Sequence, residues 1–397
     1  TRIVDRNGDA PYLDEEGNFA AGQGNVLAYS KQKDIYLDLL KRLSADVTAL
    51  ASTSGQALID SNYDVLYSGD YSKWSKFANT LIMRLSMRLS RTDAASEAKT
   101  YYQAAEGKAM NSPSDYARVS CDSSIWGDYF DRTARDWGES RPDEMFVKIL
   151  CGENPGYMTG VVDPRRDIWL HEGTDPALTG TNWDGLADGT YTLGDMSNVV
   201  TSHGGSNSFA LLNYYDANGF FWFANNASAN QNLSWCIATY SETLFLKAEA
   251  ALRGWSSGDA ESLYKQAIKA SMDEVCYFIT RSGGDKTISD AEFNAYYAAL
   301  PAFGSSNEAK LKSIMTQKWI ALFPNAQEAW CEIRRTGYPQ VGVVSYPVLS
   351  PSAQVQNGNL IQRMCYPDNE YNTNADNIPD DYKTDGSKYQ YRGQYGL

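Results

Sequence analysis

The chain has 397 residues, of which 43% are hydrophobic and 21% are charged, a composition typical of a globular protein and not of a disordered one. Its 35 basic and 49 acidic residues give a net charge of -14. No basic cluster interrupts the acidity, which argues against a nucleic-acid-binding protein, because phosphate contacts need clustered lysine and arginine. No run approaches the roughly 18 apolar residues of a membrane-spanning helix.

The cysteines and histidines do not form a recognisable site. The chain has two histidines and six widely separated cysteines: Cys121, Cys151, Cys236, Cys276, Cys331 and Cys365. Without a C-x-x-C spacing, neither a structural zinc site nor a redox pair is indicated, and we predict no metal and no cofactor. Cys236 and Cys331 fall in apolar helical patterns, which favours buried free thiols, although the even count leaves disulfides open.

Three helices are predicted in the first part of the chain, at about 31–50, 75–91 and 94–110, where apolar residues recur at helical spacing. Asn111-Ser-Pro ends the third helix. The second carries Arg84, Arg88 and Arg91 along one face. These could clamp an anionic ligand or pair with acidic residues of the protein, and we favour ion pairing.

The amino-acid composition changes between residues 111 and 235, a stretch that we call the loop-rich segment. Glycine, asparagine, aspartate, threonine and aromatic residues dominate it, and helical periodicity returns only around 142–150. A loop-rich stretch of this length inside a compact protein usually has a function. The tail at 339–397 is similarly irregular and is rich in asparagine, tyrosine and proline.

Residues 240–272 have the pattern of a tetratricopeptide-like helix pair. Small residues recur where paired helices touch, and an aromatic residue fills the groove to the next repeat. The residues on these offsets are Ala248, Ala251, Ala260, Tyr264 and Ala267. Gly254 is expected to end the first helix and Asp259 to cap the second.

A second helical hairpin is predicted between residues 311 and 339. Its second helix is expected to begin at Asn325, with Glu328 as the reciprocal partner of a capping box. Gly337 and Pro339 are expected to end it. Arg334 and Arg335 at its carboxyl end suit the helix dipole without any ligand.

Four segments, in this order along the chain, resemble motifs of the SusD/RagB family of outer-membrane nutrient-binding lipoproteins. They are the string WSKFANTLIMRLSMR from Trp74, the string YSETLFLKAEAALRGW from Tyr240, WIALFPNAQEAWCEIRRTGYP from Trp319, and RMCYPDNE from Arg363 followed by Asn372 and Asn374. The resemblance implies an all-α-dominated fold in which tetratricopeptide-like helix pairs carry a long, aromatic-rich insertion.

The resemblance also implies a domain organisation and a location. We expect a single SusD-like domain over 1–397, with a helical scaffold mainly at 31–110 and 236–338, a ligand-binding segment at 111–235 and an irregular segment at 339–397. Members are lipid-anchored at the cell surface. Residues 2–12 resemble an internal G-D-x-P-Y loop of the family, so we expect the chain to start inside the family pattern, without the lipid anchor.

By the same resemblance the protein is expected to bind an oligosaccharide, without cleaving it, and to deliver it to a SusC-like TonB-dependent transporter. Ten tryptophans and 27 tyrosines suit this role, because sugar rings stack on aromatic faces while their hydroxyls bond to polar side chains. The glycine-bounded loop 180–185 and the stretch 213–222 supply the candidate ligand-binding residues: Asn182, Trp183, Asp184, Tyr214, Tyr215 and Trp222. Trp222 lies in an apolar run that also suits a core position.

Other functions stay open at this stage. The runner-up within the family is peptide capture, and the rival from another class is an all-helical glycoside hydrolase or lyase. A pure adaptor that holds a protein is a third possibility. No nucleophile-elbow, zinc-protease or phosphate-loop motif is present. Asp5 to Asp9 with Glu16 faintly resembles a calcium loop, but Ala10 stands where that loop requires glycine.

Overall fold

The computed structural model describes residues 1–13, 18, 27–52, 60–120, 142–153, 160–171, 211–212, 234–281, 287–340, 363–364 and 366–380. Its helices, numbered in chain order, are α1 (Arg2–Asn7), α2 (Gln32–Ser52), α3 (Tyr71–Arg88), α4 (Ala95–Ala105), α5 (Glu144–Leu150), α6 (Arg166–Trp169), α7 (Tyr240–Leu252), α8 (Ala260–Arg281), α9 (Asp290–Ala299), α10 (Asn307–Ala321), α11 (Ala326–Thr336) and α12 (Asp368–Thr373). The strands are β1 (Ala117–Ser120), β2 (Leu170–His171), β3 (Leu211–Leu212) and β4 (Ser234–Ala238).

The fold is dominated by helices, as predicted. Helices α2, α3 and α4 coincide with the three expected near the start of the chain, and α5 coincides with the periodic stretch around 142–150. Within the described residues the strands form two small antiparallel sheets, β1 with β4 and β2 with β3. No helix in the described part of the chain is both long and apolar enough to cross a bilayer.

The tetratricopeptide-like pair is confirmed in α7 and α8, which pack against each other. Ala248 and Ala267 are completely buried, which allows the two helix backbones to approach closely. Gly254 has a φ of +68°, the left-handed conformation that ends a helix. The Asp259 carboxylate accepts a hydrogen bond from the Ser262 amide at the start of α8, over 2.7 Å.

Helix α7 is the centre of the scaffold. It packs against α8, α10 and α3, and it is buried on nearly all sides. Leu244 and Phe245 belong to the core formed with α5, α8, α9 and α10. Leu246 and Ala250 belong to a second core, formed with α1 to α4. One helix therefore joins the two hydrophobic cores.

Helices α3, α7, α10 and α11, with α1, also meet through a buried ion-pair network. Its acidic members are Asp5, Glu242, Glu249, Glu328 and Glu332, and its basic members are Arg84, Arg88, Arg253, Lys318 and Arg335. Five negative and five positive side chains balance formally. The interaction predicted for Arg84 and Arg88, pairing with acidic residues of the protein, is confirmed, whereas Arg91 donates to the Arg335 carbonyl.

Two members of the network hold their partners with paired hydrogen bonds. Arg84 donates to both oxygens of Glu242 over 2.6 Å each. Arg335 donates to the two oxygens of Glu249 over 2.6 and 2.7 Å. Bidentate arginine–carboxylate pairs are the geometry that best compensates the cost of burying charge.

The pKa values of three carboxyl groups in the network, those of Glu249, Glu328 and Glu332, are lowered. Burial by itself would raise the pKa of Glu332, but Arg335, Lys318 and Arg88 more than offset burial and hold it well below its ordinary value. Burial is likewise outweighed at Glu249 by Arg335 and Arg253, and its pKa is lowered. These side chains are therefore ionised, and paired, at neutral pH.

Two details of the sequence analysis are wrong: the capping box at Asn325 and the helical position of Cys236. Asn325 precedes α11, but its side chain makes no capping hydrogen bond. Glu328, the expected second partner, is paired with Arg88 instead. Cys236 lies on strand β4 and not on a helix. Arg335 lies in the last turn of α11, where the helix dipole favours it, and it is also buried between Glu249 and Glu332.

The free-thiol interpretation is confirmed for Cys236 and Cys331, and Cys151 also has a free thiol. The predicted end of helix α11 is also confirmed. Gly337 has a φ of +80° and lies in the left-handed region immediately after Thr336.

Candidate functional site

Both ends of the loop-rich segment are fixed at one place on the scaffold. Strands β1 and β4 are antiparallel, with Ser120 opposite Ser234 and Ala117 opposite Ala238. The chain leaves the sheet after Ser120 and returns to it at Ser234. The small sheet thereby holds together two points that are more than a hundred residues apart in sequence.

The scaffold end of this sheet is buried in a small aromatic core. Ala117 and Ala238 pack there with Tyr67, Phe77 and Met110. The Tyr67 hydroxyl donates a hydrogen bond to the Asp115 carbonyl over 2.9 Å. The strands that bracket the loop-rich segment are therefore joined rigidly to α3 and to the loop that precedes it.

A buried carboxyl group, Glu274 of α8, lies beneath the same sheet. It accepts hydrogen bonds from the Ser241 amide over 2.7 Å and from the Ser241 hydroxyl over 2.5 Å. The side chains of Tyr116 and Thr239 also lower the pKa of this carboxyl group. Burial raises the pKa of Glu274 to about 7, because these neutral donors offset only part of the cost of desolvation. Burial near Glu274 also raises the pKa of the Cys236 thiol well above its ordinary range.

A second anchor fastens residues 160–171 to the helices. Arg165 is fully buried and pairs with Asp163, with Nε to Oδ1 at 2.9 Å and Nη2 to Oδ2 at 2.6 Å. It also donates to the Ser271 hydroxyl of α8 and to the Gln317 amide oxygen of α10, each over 2.9 Å. Gln317 in turn donates to the Tyr296 hydroxyl of α9 over 2.9 Å. One guanidinium thus connects the loop-rich segment to three helices.

A shallow cavity of about 180 Å³ opens beyond Gln317. Its wall combines apolar and hydrogen-bonding groups: Tyr264, Leu300, Pro301, Ala302, Ala309, Lys312, Ser313, Thr316 and Gln317. Pockets for small molecules usually measure about 300–1,000 Å³. This cavity could hold one small group but is too small for an oligosaccharide, so it is not the main ligand site.

The candidate ligand-binding residues from the sequence all lie outside the described residues: Asn182, Trp183, Asp184, Tyr214, Tyr215 and Trp222. Their participation in a site stays a prediction. What the structure adds is the foundation of the segment that carries them, namely the β1–β4 sheet, Glu274 and Arg165. Sequence analysis did not single out these residues. Glu274 could have been noticed as an acidic residue between the buried Met272 and Val275 of α8.

Metal binding has no support in the described part of the chain, where no three His, Cys, Asp or Glu side chains converge. The two carboxylates of the faint calcium motif that the structure describes, Asp5 and Asp9, have other partners. Asp5 pairs with Arg88. Asp9 accepts from the Lys31 ammonium over 3.0 Å and from the Gln32 amide over 2.9 Å.

Solved structures share this architecture over nearly the whole chain. A structure described as a chitin-binding protein has a TM-score of 0.75 at 24% identity and covers 100% of this chain and 78% of its own. A chitin-binding SusD homologue from Flavobacterium johnsoniae has a TM-score of 0.72 at 22% identity, with the same coverages. A SusD homologue from Bacteroides thetaiotaomicron has a TM-score of 0.65 at 25% identity and covers 95% and 73%.

Identities this low establish a common fold and not a common ligand. No curated protein sequence matches the chain. The family model of SusD-like proteins, described as SusD and RagB outer membrane lipoproteins, matches residues 2–388. The expectation drawn from the four sequence motifs is therefore confirmed, and the chain belongs to the SusD-like family.

Proposed function

We propose that this protein binds an oligosaccharide at the bacterial cell surface and passes it, uncleaved, to a SusC-like TonB-dependent transporter of the outer membrane. The observation that carries the proposal is the match of the entire chain to two structures that are described as chitin-binding. Membership of a family described as outer membrane lipoproteins supports the location. The transporter and the lipid anchor follow from the resemblance of the motifs.

The construction of the scaffold supports a binding role. Two separate anchors, the β1–β4 sheet and Arg165, fasten the loop-rich segment to α3, α8, α9 and α10. A ligand surface that is held in place before binding loses little conformational entropy when the ligand arrives. Among the described residues, the charges of the buried ion-pair network are paired with one another and hold the scaffold together.

Isothermal titration calorimetry of the purified chain tests the proposal. The titrants are chitin oligosaccharides, a panel of other neutral oligosaccharides, and a set of short peptides. We expect saturable binding of at least one oligosaccharide, no binding of the peptides, and no release of reducing ends over hours. Binding of peptides alone would establish the runner-up function. Reducing-end release that scales with protein concentration, and that disappears in a single Asp or Glu variant, would establish an enzyme.

The predicted site is tested by Trp183→Ala, with Trp183→Phe as the matched variant that keeps an aromatic face. We expect Trp183→Ala to abolish glycan binding and to change the free energy of unfolding by less than about 1 kcal/mol, as for a surface residue. Trp183→Phe should retain part of the affinity. If Trp183→Ala binds normally, or loses several kcal/mol of stability, this tryptophan packs inside the protein and the site lies elsewhere.

The transporter partnership has its own test. The protein is isolated with an affinity tag from the outer membrane of the cells that produce it, in mild detergent. A TonB-dependent transporter should co-purify in a stoichiometric amount, as identified by mass spectrometry. Recovery of the protein alone, under conditions in which other outer-membrane complexes survive, would contradict the partnership without affecting glycan binding.

A further inference from the structure

The loop between α2 and α3 exposes two large side chains next to a buried one. Tyr63 is 82% exposed and Val65 is 69% exposed, whereas Asp64 between them is only 5% exposed. Burial of such a side chain normally stabilises the folded protein. Single exposed apolar residues are common on protein surfaces. Here, however, two exposed side chains, Tyr63 and Val65, lie on either side of the buried Asp64, and this arrangement needs an explanation.

Asp64 makes this loop rigid. Its carboxylate accepts hydrogen bonds from the Gly69 amide over 2.7 Å, the Leu66 amide over 3.1 Å and the Trp74 indole nitrogen over 2.8 Å. Burial alone would raise the pKa of Asp64, but these donors outweigh it and the pKa is lowered. A carboxylate tied to so many donors holds the backbone of both neighbours in place. Tyr63 and Val65 are therefore displayed in a fixed geometry.

The loop lies beside the foundation of the loop-rich segment. Tyr67 packs edge-on against Trp74, with ring centroids 5.5 Å apart, and belongs to the same aromatic core as Ala117 of β1 and Ala238 of β4. The exposed pair is thus carried by a loop that is attached directly to the sheet from which the predicted ligand-binding residues extend.

The polar neighbours of Tyr63 are also exposed. Ser61 and Asn62 precede it in the turn, and both are open to solvent. The turn itself is closed by the Tyr63 amide, which donates to the Asp60 carbonyl over 2.9 Å. A tyrosine ring bordered by a hydroxyl and a carboxamide combines an apolar face with hydrogen-bond donors and acceptors. These are the groups that recognise a neutral sugar ring, whose CH face is apolar and whose rim carries hydroxyls.

We propose that Tyr63 is a stacking platform for one neutral sugar ring of the bound glycan, with Val65 extending the apolar contact and Asn62 bonding to hydroxyl groups. The inference rests on the proposed function and deepens it, because it adds a saccharide contact outside the loop-rich segment. Tyrosine suits this role, since it supplies a broad rigid face with few rotatable bonds.

The test uses the oligosaccharide that binds the wild-type chain best in the calorimetric screen. We expect Tyr63→Ala to weaken binding tenfold or more and Tyr63→Phe to stay within threefold, because stacking needs the ring and not the hydroxyl. Val65→Ala should weaken binding two- to threefold. Ile3→Ala, a truncation of a side chain that is 67% exposed on α1, should leave affinity unchanged.

The possible outcomes separate this inference from the proposed function. If the wild-type chain binds an oligosaccharide and Tyr63→Ala binds it equally well, the inference is overturned and the function stands. If the wild-type chain binds no oligosaccharide, both are overturned. Hydroxyl-radical footprinting of the wild-type protein covers the case in which Tyr63→Ala fails to fold: Tyr63 should be protected when the oligosaccharide is present, and an unprotected Tyr63 overturns the inference.

Discussion

The buried ion-pair network and the Glu274 contact below the β1–β4 sheet both bury carboxyl groups, yet the pKa values of these groups move in opposite directions. Glu332 and Glu249 titrate below their ordinary range, whereas the pKa of Glu274 rises to about 7. All three side chains are almost completely inaccessible to solvent. The difference therefore comes from the partners and not from the degree of burial.

At Glu249 and Glu332, positively charged side chains face the carboxylate, so the favourable charge interaction outweighs the cost of desolvation. At Glu274, the partners are hydroxyl groups and a backbone amide, which stabilise the anion less than a full positive charge does. Glu249 and Glu332 are consequently ionised at neutral pH. Glu274, at the base of the loop-rich segment, changes its protonation state near neutral pH.

The largest effect is expected for Arg335→Met. This change leaves Glu249 and Glu332 buried without their main partner, which typically costs about 3–5 kcal/mol. Chemical denaturation at pH 7, followed by circular dichroism, measures the loss. The control is Lys148→Met, which removes an ion pair to Glu144 in which both side chains are more than 40% exposed. That change should cost less than about 1 kcal/mol.

The pH dependence of Arg335→Met sharpens the comparison. A carboxylate whose pKa is lowered in the folded state contributes stability above its ordinary pKa of 4.5 and loses it as the pH falls. The gap in unfolding free energy between wild type and Arg335→Met should therefore narrow below pH 4.5. A gap that is independent of pH would mean that lost packing, and not lost charge pairing, explains the destabilisation.

For Glu274, we expect the opposite dependence of the unfolding free energy on pH, and the Glu274→Gln variant tests it. A carboxyl group whose pKa is raised in the folded state contributes stability below its ordinary pKa and loses it as the pH rises through the folded value. For a rise from 4.5 to about 7, the wild-type protein should lose up to about 3 kcal/mol of this contribution between pH 4.5 and pH 8. Glutamine does not titrate, so the variant should lack this decline.

The matched control for Glu274→Gln is Asp273→Asn, at the adjacent and half-exposed position that pairs with Lys269. It should retain the wild-type decline in stability toward alkaline pH. The interpretation of Glu274 is wrong if the wild-type and Glu274→Gln curves run parallel between pH 4.5 and pH 8.

A smaller effect is expected for Ser241→Ala, which removes one hydroxyl donor from Glu274. A hydrogen bond of this kind contributes about 1.5–3 kcal/mol when the acceptor is charged. Because the Ser241 hydroxyl lowers the pKa of Glu274, its removal should shift the alkaline decline in stability to a higher pH. Ser262→Ala on the exposed start of α8 should leave the midpoint of the decline where it is in the wild type.

The helical elements could be predicted because their signals are local. The stripe of apolar residues in α2 lies within one helix, and the small residues of α7 and α8 lie within one helix pair. Gly254 and Gly337 are likewise local signals, because each directly follows the helix that it ends. The prediction of a capping box at Asn325 was wrong because a local pattern does not reveal partners that are distant in the sequence. Glu328 pairs with Arg88, which is 240 positions away.

The candidate site could be predicted only as a segment. An aromatic-rich composition indicates that residues 111–235 have a function, but the arrangement of a sugar-binding surface depends on distances between loops, which no local pattern encodes. Sequence patterns could not identify Tyr63 either, because what distinguishes it is its exposure beside the buried Asp64. Exposure of a tyrosine is not visible in the letters SNYDVLYSGD.

By itself, the sequence determined the helical class of this protein, the tetratricopeptide-like pair and the family, because periodicity, small-residue spacing and ordered motifs are properties of the chain. Only the tertiary structure decided which charges pair. Arg335 could have faced water beside the helix dipole, but the tertiary structure places it against Glu249 of α7. Glu274 has no cationic partner among its principal contacts, and that too follows from which helices and strands meet around it. Charge partners are chosen in three dimensions, and so are the pKa values that depend on them.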